Sequence, residues 1–192
     1  MGLNKNSAEC HGSGFSPRLT VLRSASCLLL SLACLVPAMA NEPAACTTQE
    51  YRELDFKIGR FAGQTANGQR AGVSEVKPDL RGCVLIERWE GAISGNGMGI
   101  YFRSSSDNRW HLNYANEDGQ TLELSGVTDS TGITFSGPSR FYELSGIHRI
   151  RWERASDGAV RQIWHLSKDG GATWEAVAEI LLSPSTVADQ SG

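Results

Sequence analysis

From residue 59 onward apolar and polar positions alternate with a period of two, the spacing of strands that bury one face. Ten candidate strands follow, near 60–66, 69–76, 83–90, 97–103, 109–115, 121–126, 133–136, 147–154, 160–166 and 173–182. Turn chemistry separates them. Asn67-Gly68 favours the positive φ of a two-residue hairpin, and Glu117-Asp118-Gly119, Asp129 to Gly132, Ser156-Asp157-Gly158 and Asp169-Gly170-Gly171 also read as turns. The glycine-rich run from Gly91 to Gly97 predicts a looser loop, and Pro138 to Tyr142 a longer connection. Just upstream the pattern differs. Thr47 with Glu50 three residues later is a capping-box spacing, predicting a short helix from near Thr48 to about Leu54 with Tyr51 and Leu54 on one face. Residues 54–61 are thus a junction between a capping helix and the first strand.

Ten short strands with hairpin turns and no long interior helix predict an all-β domain. A meander of this length leaves two open edges, and closure removes them. The expected architecture is an antiparallel up-and-down barrel of about ten strands with a short N-terminal capping helix. A two-sheet sandwich is the alternative.

The first 40 residues follow a different logic. Lys5, Arg18 and Arg23 give a positive region, residues 25–36 an apolar run of 12, and Ala38-Met39-Ala40 a small-x-small cleavage signal. That order predicts a secretory signal peptide over 1–40 and a single domain over 41–192. A run of 12 is too short for a bilayer, which needs about 20 residues. The mature chain is therefore expected to carry no transmembrane segment. Lipidation at Cys34 is a weaker alternative, since Ser31-Leu32-Ala33 matches a lipoprotein signal poorly.

Removing the leader leaves 152 residues and takes the formal charge from −3 to −5. A net negative domain without a basic cluster argues against nucleic acid, and against an anionic membrane surface, as a partner. Cys46 and Cys83 are the two remaining cysteines. In an exported chain they predict one disulfide, worth roughly 3–4 kcal/mol, with two separate buried thiols as the alternative. No nearby histidine or second cysteine pair completes a metal site. The location these features imply is periplasmic or secreted.

Asp55-Phe56, Gly59 and Phe61 resemble the opening of lipocalin-like β-barrels, where Gly-x-Trp starts the first strand. With Gly82-Cys83, Glu87-Arg88-Trp89 and the run Ser167 to Trp174, the chain resembles a group of secreted bacterial lipocalin-like (calycin-type) barrels without an agreed activity. The resemblance runs from about Cys46 to Leu182 and implies a fold rather than a function. Lys57 departs from it, standing where the group has an aromatic, as does Phe61 in place of Trp. Ser167 to Trp174 also matches the Asp-box of sialidase propellers, but one copy without repeating blades reads as a hairpin turn.

Strand alternation then selects the residues that could line an interior. Glu87 and Trp89 share a face; so do Trp110, Leu112 and Tyr114; so do Gln162 and Trp164. The expected ligand-binding set is Glu87, Trp89, Trp110, Tyr114, Arg149, Gln162 and Trp164, with Glu87 and Arg149 as an internal ion pair. Barrels of this size either hold one small ligand or fill their interior with side chains, and both readings stand. A cavity of about 300 Å³ or more lined by Trp89, Trp110 and Trp164 would favour binding of a small apolar or amphipathic molecule. A packed interior would favour a structural or interaction protein working through its surface.

No cofactor follows from these residues. His165 on the penultimate strand is the candidate haem ligand, but it faces away from Gln162 and Trp164, so haem is not expected. Catalysis has the thinnest support. There is no nucleophile elbow, phosphate-cradling loop or His-x-x-x-His pair, and no catalytic residue is assigned. Glu87 would be the acid–base candidate if it were buried with a raised pKa.

Overall fold

The computed structural model describes residues 46–186. The expected leader and Cys34 lie outside them. The described chain is all-β: ten antiparallel strands closed into an up-and-down barrel, preceded by two single 3₁₀ turns, Gln49–Arg52 and Asp55–Lys57. The strands are β1 (Gly59–Thr65), β2 (Arg70–Asp79), β3 (Val84–Gly91), β4 (Gly97–Arg103), β5 (Trp110–Asn116), β6 (Thr121–Thr128), β7 (Gly132–Phe141), β8 (Leu144–Arg154), β9 (Val160–Ser167) and β10 (Glu175–Pro184). Each pairs with its sequence neighbour, and β1 pairs with β10, Phe61 opposite Pro184 and Thr65 opposite Ile180. That last pairing removes the free edges a ten-stranded meander would otherwise expose.

The core is the set of inward positions of every strand. Phe61, Val76, Leu85, Tyr101, Trp110, Leu112, Leu124, Phe135, Trp152 and Leu182 are all buried, and they alternate along their strands with outward residues. Large rings find room where a neighbouring strand has glycine. A Cβ on Gly72 would lie 2.6 Å from the Trp89 ring and one on Gly126 2.8 Å from Phe135. Gly97 faces Tyr114 in the same way. Pairing large against small residues across adjacent strands is what lets a barrel interior approach native packing density.

Two local expectations are corrected. The segment 137–141 is the outer half of β7, not a loose connection, and it pairs with β8 up to Phe141 opposite Leu144. Pro138 is tolerated there because β6 pairs with β7 only between residues 125–128 and 133–136. The position of its missing N–H faces no partner strand. The capping box also does not form. Thr48 makes no side-chain cap bond, and the helix is reduced to 3₁₀ turns. This segment is held by tertiary contacts instead. Arg52 donates to the carbonyls of Cys46 and Gly82, and Cys46 is joined to Cys83 by a disulfide with a Cα–Cα distance of 5.0 Å.

These contacts close one end of the barrel. Glu53 is the tie: its carboxylate accepts from the Trp110 indole N–H at 2.9 Å and pairs with Arg103 at 3.6 Å, while its carbonyl accepts from Arg154 at 3.0 Å. Strands β4, β5 and β8 are thereby fixed to the N-terminal turns. Among the described residues the opposite end, where the 92–96 loop and the β9–β10 turn lie, has no such cover.

Candidate functional site

The second 3₁₀ turn places Lys57 inside the barrel, 1% exposed. Its ammonium sits 3.3 Å from Glu87 Oε2 and over the Trp152 ring, 3.1 Å from the centroid, with Tyr101 on another side. Ser74 and Tyr101 also donate their hydroxyls to the Glu87 carboxylate. Glu87 is buried, as expected, but its partner is Lys57 from the closed end and not Arg149. Arg149 alternates with the inward His148 and Ile150, so it lies on the outer face, where its guanidinium stacks 3.8 Å above Trp174.

The two buried charges perturb each other. Burial would raise the Glu87 pKa, but the charge of Lys57 and the bonds from Ser74, Tyr101 and Lys57 outweigh it and hold the carboxyl below its usual range. Burial drives the Lys57 amine down to about 8, against the pull of Glu87. Burial and the adjacent Glu87 charge push the Tyr101 phenol well above 10. Glu87 is therefore an ionised, fully engaged acceptor. The raised pKa that acid–base work would require is not what this environment produces.

Above this polar floor is a chamber of about 170 Å³. Trp89, Tyr101, Tyr114, Phe141, Trp152 and Trp164 supply aromatic walls; Leu112, Leu122, Ile150 and Ile180 fill between them, and Glu87 and Gln162 are among the polar groups. Five of the expected residues are brought together here: Glu87, Trp89, Tyr114, Gln162 and Trp164. Trp110 is not among them. It points inward but lies at the closed end, buried beneath Glu53. Nor is Arg149. The chamber abuts a wider open depression of about 520 Å³ at the uncovered end; Trp89, Ser94, Ala178 and Ile180 line both.

Several wall residues are oriented by bonds from behind. Trp152 Nε1 donates to Gln162 Oε1 at 2.9 Å. Trp164 Nε1 donates to His148 Nδ1 at 3.1 Å, and the His148 Nε2–H donates to the Leu144 carbonyl at 3.1 Å. An indole N–H can only donate, which fixes both the amide orientation and the neutral tautomer. Burial lowers the His148 pKa, favouring that neutral form. His165 is on the outer face of β9, opposite Arg149 and Ala176, and presents nothing to the chamber.

At the uncovered end β6 and β7 part. Side chains replace the missing ladder: Tyr142 takes a bond from Asn116, gives one to Asp118 at 2.5 Å, and its backbone N–H donates to Gln120 Oε1 at 2.8 Å. Phe141 and Leu122, which flank this seam, are chamber walls. The Ser167–Trp174 stretch is a turn, as its single copy implied. Asp169 accepts from the Thr173 N–H and hydroxyl and from Ser167 Oγ.

Alternation alone was enough to find the residues of β3, β5 and β9. Lys57, Tyr101 and Phe141 were missed for separate reasons. Lys57 comes from outside the strand pattern, Tyr101 shares its face with the glycines 97 and 99, and Phe141 lay in a stretch read as loop. The one signal for Lys57 was its departure from the aromatic of the resembling group. No family model matches this chain, and no curated protein matches it. Among the described residues no helix is long and apolar enough to cross a membrane.

Proposed function

We propose that the protein is an exported, lipocalin-like barrel, periplasmic or secreted, that binds one small apolar or amphipathic molecule in its interior. The supporting observation is the chamber: an aromatic-walled space of about 170 Å³ at the end of the barrel that the N-terminal turns leave uncovered. It is smaller than the 300 Å³ that would favour a drug-sized ligand. It suits a molecule of one or two rings, since an apolar cavity of about 150 Å³ admits benzene. A longer molecule would seat its ring inside and leave its remainder in the adjoining depression. The leader over 1–40 and the Cys46–Cys83 disulfide support export.

Titration with small aromatic compounds, followed by tryptophan fluorescence, tests the reading, because Trp89, Trp152 and Trp164 line the chamber. Saturable quenching in the wild type that disappears in Ala178→Phe, which fills the chamber from β10, supports it. Equal responses from the two proteins would sink it. Native mass spectrometry of protein purified from its host would give the mass of any natural occupant.

A second reading has its own support. The chamber falls short of 300 Å³, and the outer face of β3 and β4 carries Ile86, Met98, Ile100 and Phe102 on adjacent register positions, with Met98 and Ile100 exposed. On that reading the barrel is a scaffold and its outer sheet face the working surface. An enzyme using the chamber is the least supported, because Glu87 is held ionised by its neighbours.

A further inference from the structure

The chamber's hydrogen-bonding capacity is unbalanced, and the imbalance specifies a ligand class. Its carboxylate and amide acceptors are spoken for, which leaves only the hydroxyls of Ser94 and Tyr114, groups that can donate as well as accept. Glu87 takes bonds from Ser74, Tyr101 and Lys57, and Gln162 Oε1 takes the Trp152 indole. Its donors are not. Once Gln162 Oε1 faces Trp152, its Nε2 group is left to donate elsewhere. The Tyr114 hydroxyl and the Trp89 Nε1–H are two further donors. None of these three donates to another described residue at hydrogen-bonding distance, and all three residues line the chamber. Burial and Glu87 push the Tyr114 pKa up to about 12, so that hydroxyl keeps its proton.

The donors also have an arrangement. Trp89 on β3 and Tyr114 on β5 stand on one wall, and Gln162 on β9 stands across the barrel. Charge narrows the class further. The Lys57 ammonium already neutralises Glu87, and it already occupies the aromatic faces of Trp152 and Tyr101 that an organic cation would seek. A charged ligand would add a third, uncompensated charge to a buried space.

We infer that the chamber selects a neutral ring compound carrying a carbonyl-type acceptor (a cyclic or aromatic ketone, lactone or quinone), with its ring against the aromatic walls and its oxygen on Gln162 or Tyr114. This rests on the ligand-binding reading above and refines it. A hydrocarbon ring would fill the space but leave the donors unpaired, whereas a ketone satisfies at least one of them.

The test is a four-compound panel of similar size against the full mature chain: toluene, acetophenone, benzoate and benzylamine, with dissociation constants from calorimetry or fluorescence. Acetophenone should bind about tenfold more tightly than toluene, the effect of one net hydrogen bond. Both ions should bind more weakly than acetophenone. Tyr114→Phe and Gln162→Met should erode the acetophenone preference while leaving toluene affinity in place; retained toluene binding also certifies that each variant is folded. Toluene matching acetophenone, or either ion binding tightest, overturns the inference while leaving an interior binding site standing. No binding by any of the four, with no difference in Ala178→Phe, overturns both.

Discussion

The two ends of the barrel use similar residues to opposite effect. At the closed end Glu53, Trp110, Arg103, Arg154, Lys57, Glu87, Tyr101 and Ser74 form a set in which each polar group meets another. Above it the chamber-lining Trp89, Tyr114 and Gln162 hold donors that meet no acceptor among the described residues, and toward the uncovered end the strands β6 and β7 part. A satisfied polar network rigidifies the structure around it, while donors that line an open space stay free for water or for a partner. On the proposed ligand-binding reading, the closed end serves stability and the chamber serves recognition.

The largest expected effect breaks the closed end. Lys57→Met strands the Glu87 carboxylate in the interior and should cost about 3–5 kcal/mol in urea unfolding. Adding Glu87→Gln should restore most of that loss, because the paired charges go together; a double variant no better than the single would refute the buried pair. Next, replacing Cys46 and Cys83 with serine should cost about 3–4 kcal/mol, from a staple that spans 37 residues. Toluene affinity should survive it, since the staple lies at the closed end.

The pH profile separates the two ends less strongly. Glu87 titrates below its unfolded value, so its contribution is complete above about pH 4.5 and fades as pH falls further. Lys57 acts in the opposite region. With its folded pKa at about 8 against 10.5 unfolded, the folded state gives up its proton first, so stability should rise across that interval. The gain should not exceed about 3 kcal/mol. Above pH 10 the raised pKa values of Tyr101 and Tyr114 should reverse it. Unfolding midpoints measured from pH 3 to 11 on wild type and Lys57→Met should differ in the 8–10.5 rise. At the other end, Ala178→Phe should change stability by less than about 1 kcal/mol while abolishing interior binding, since it enters space rather than a packed core. The smallest effect belongs to Tyr142→Phe, which removes the hydroxyl's two bonds at the β6–β7 seam and keeps the backbone bond to Gln120. Its unfolding midpoint should barely move, but ligand exchange measured by stopped flow should quicken.

Why the barrel was legible in the chain and half its site was not follows from the same physics. Period-two alternation holds along strands such as β3, β5 and β6, which bury one face, so inward positions such as Trp89 and Tyr114 could be read directly. Closure followed from edge counting. The polar floor could not be read this way, because Lys57 enters from a 3₁₀ turn and meets Glu87 across 30 residues. Arg149 looked a fit partner on charge alone, but the face opposite the buried His148 is the outer one. Trp110 had the correct direction and the wrong height, a coordinate that alternation does not carry. Pro138 concealed the outer half of β7, since a proline is compatible with a strand only where one side goes unpaired.

The pairing of β1 with β10 has a consequence for how the chain acquires its shape. Phe61 finds its partner only when Pro184 has emerged, so the first strand made is the last to be fully paired. Until then the nascent meander keeps both edges exposed, and the slowest contacts are the most distant ones. Removing β10 would therefore do more than shorten the sheet. It would return both ends of the ribbon to solvent as templates for intermolecular pairing, and a chain lacking it should form oligomers or aggregates rather than a nine-stranded monomer.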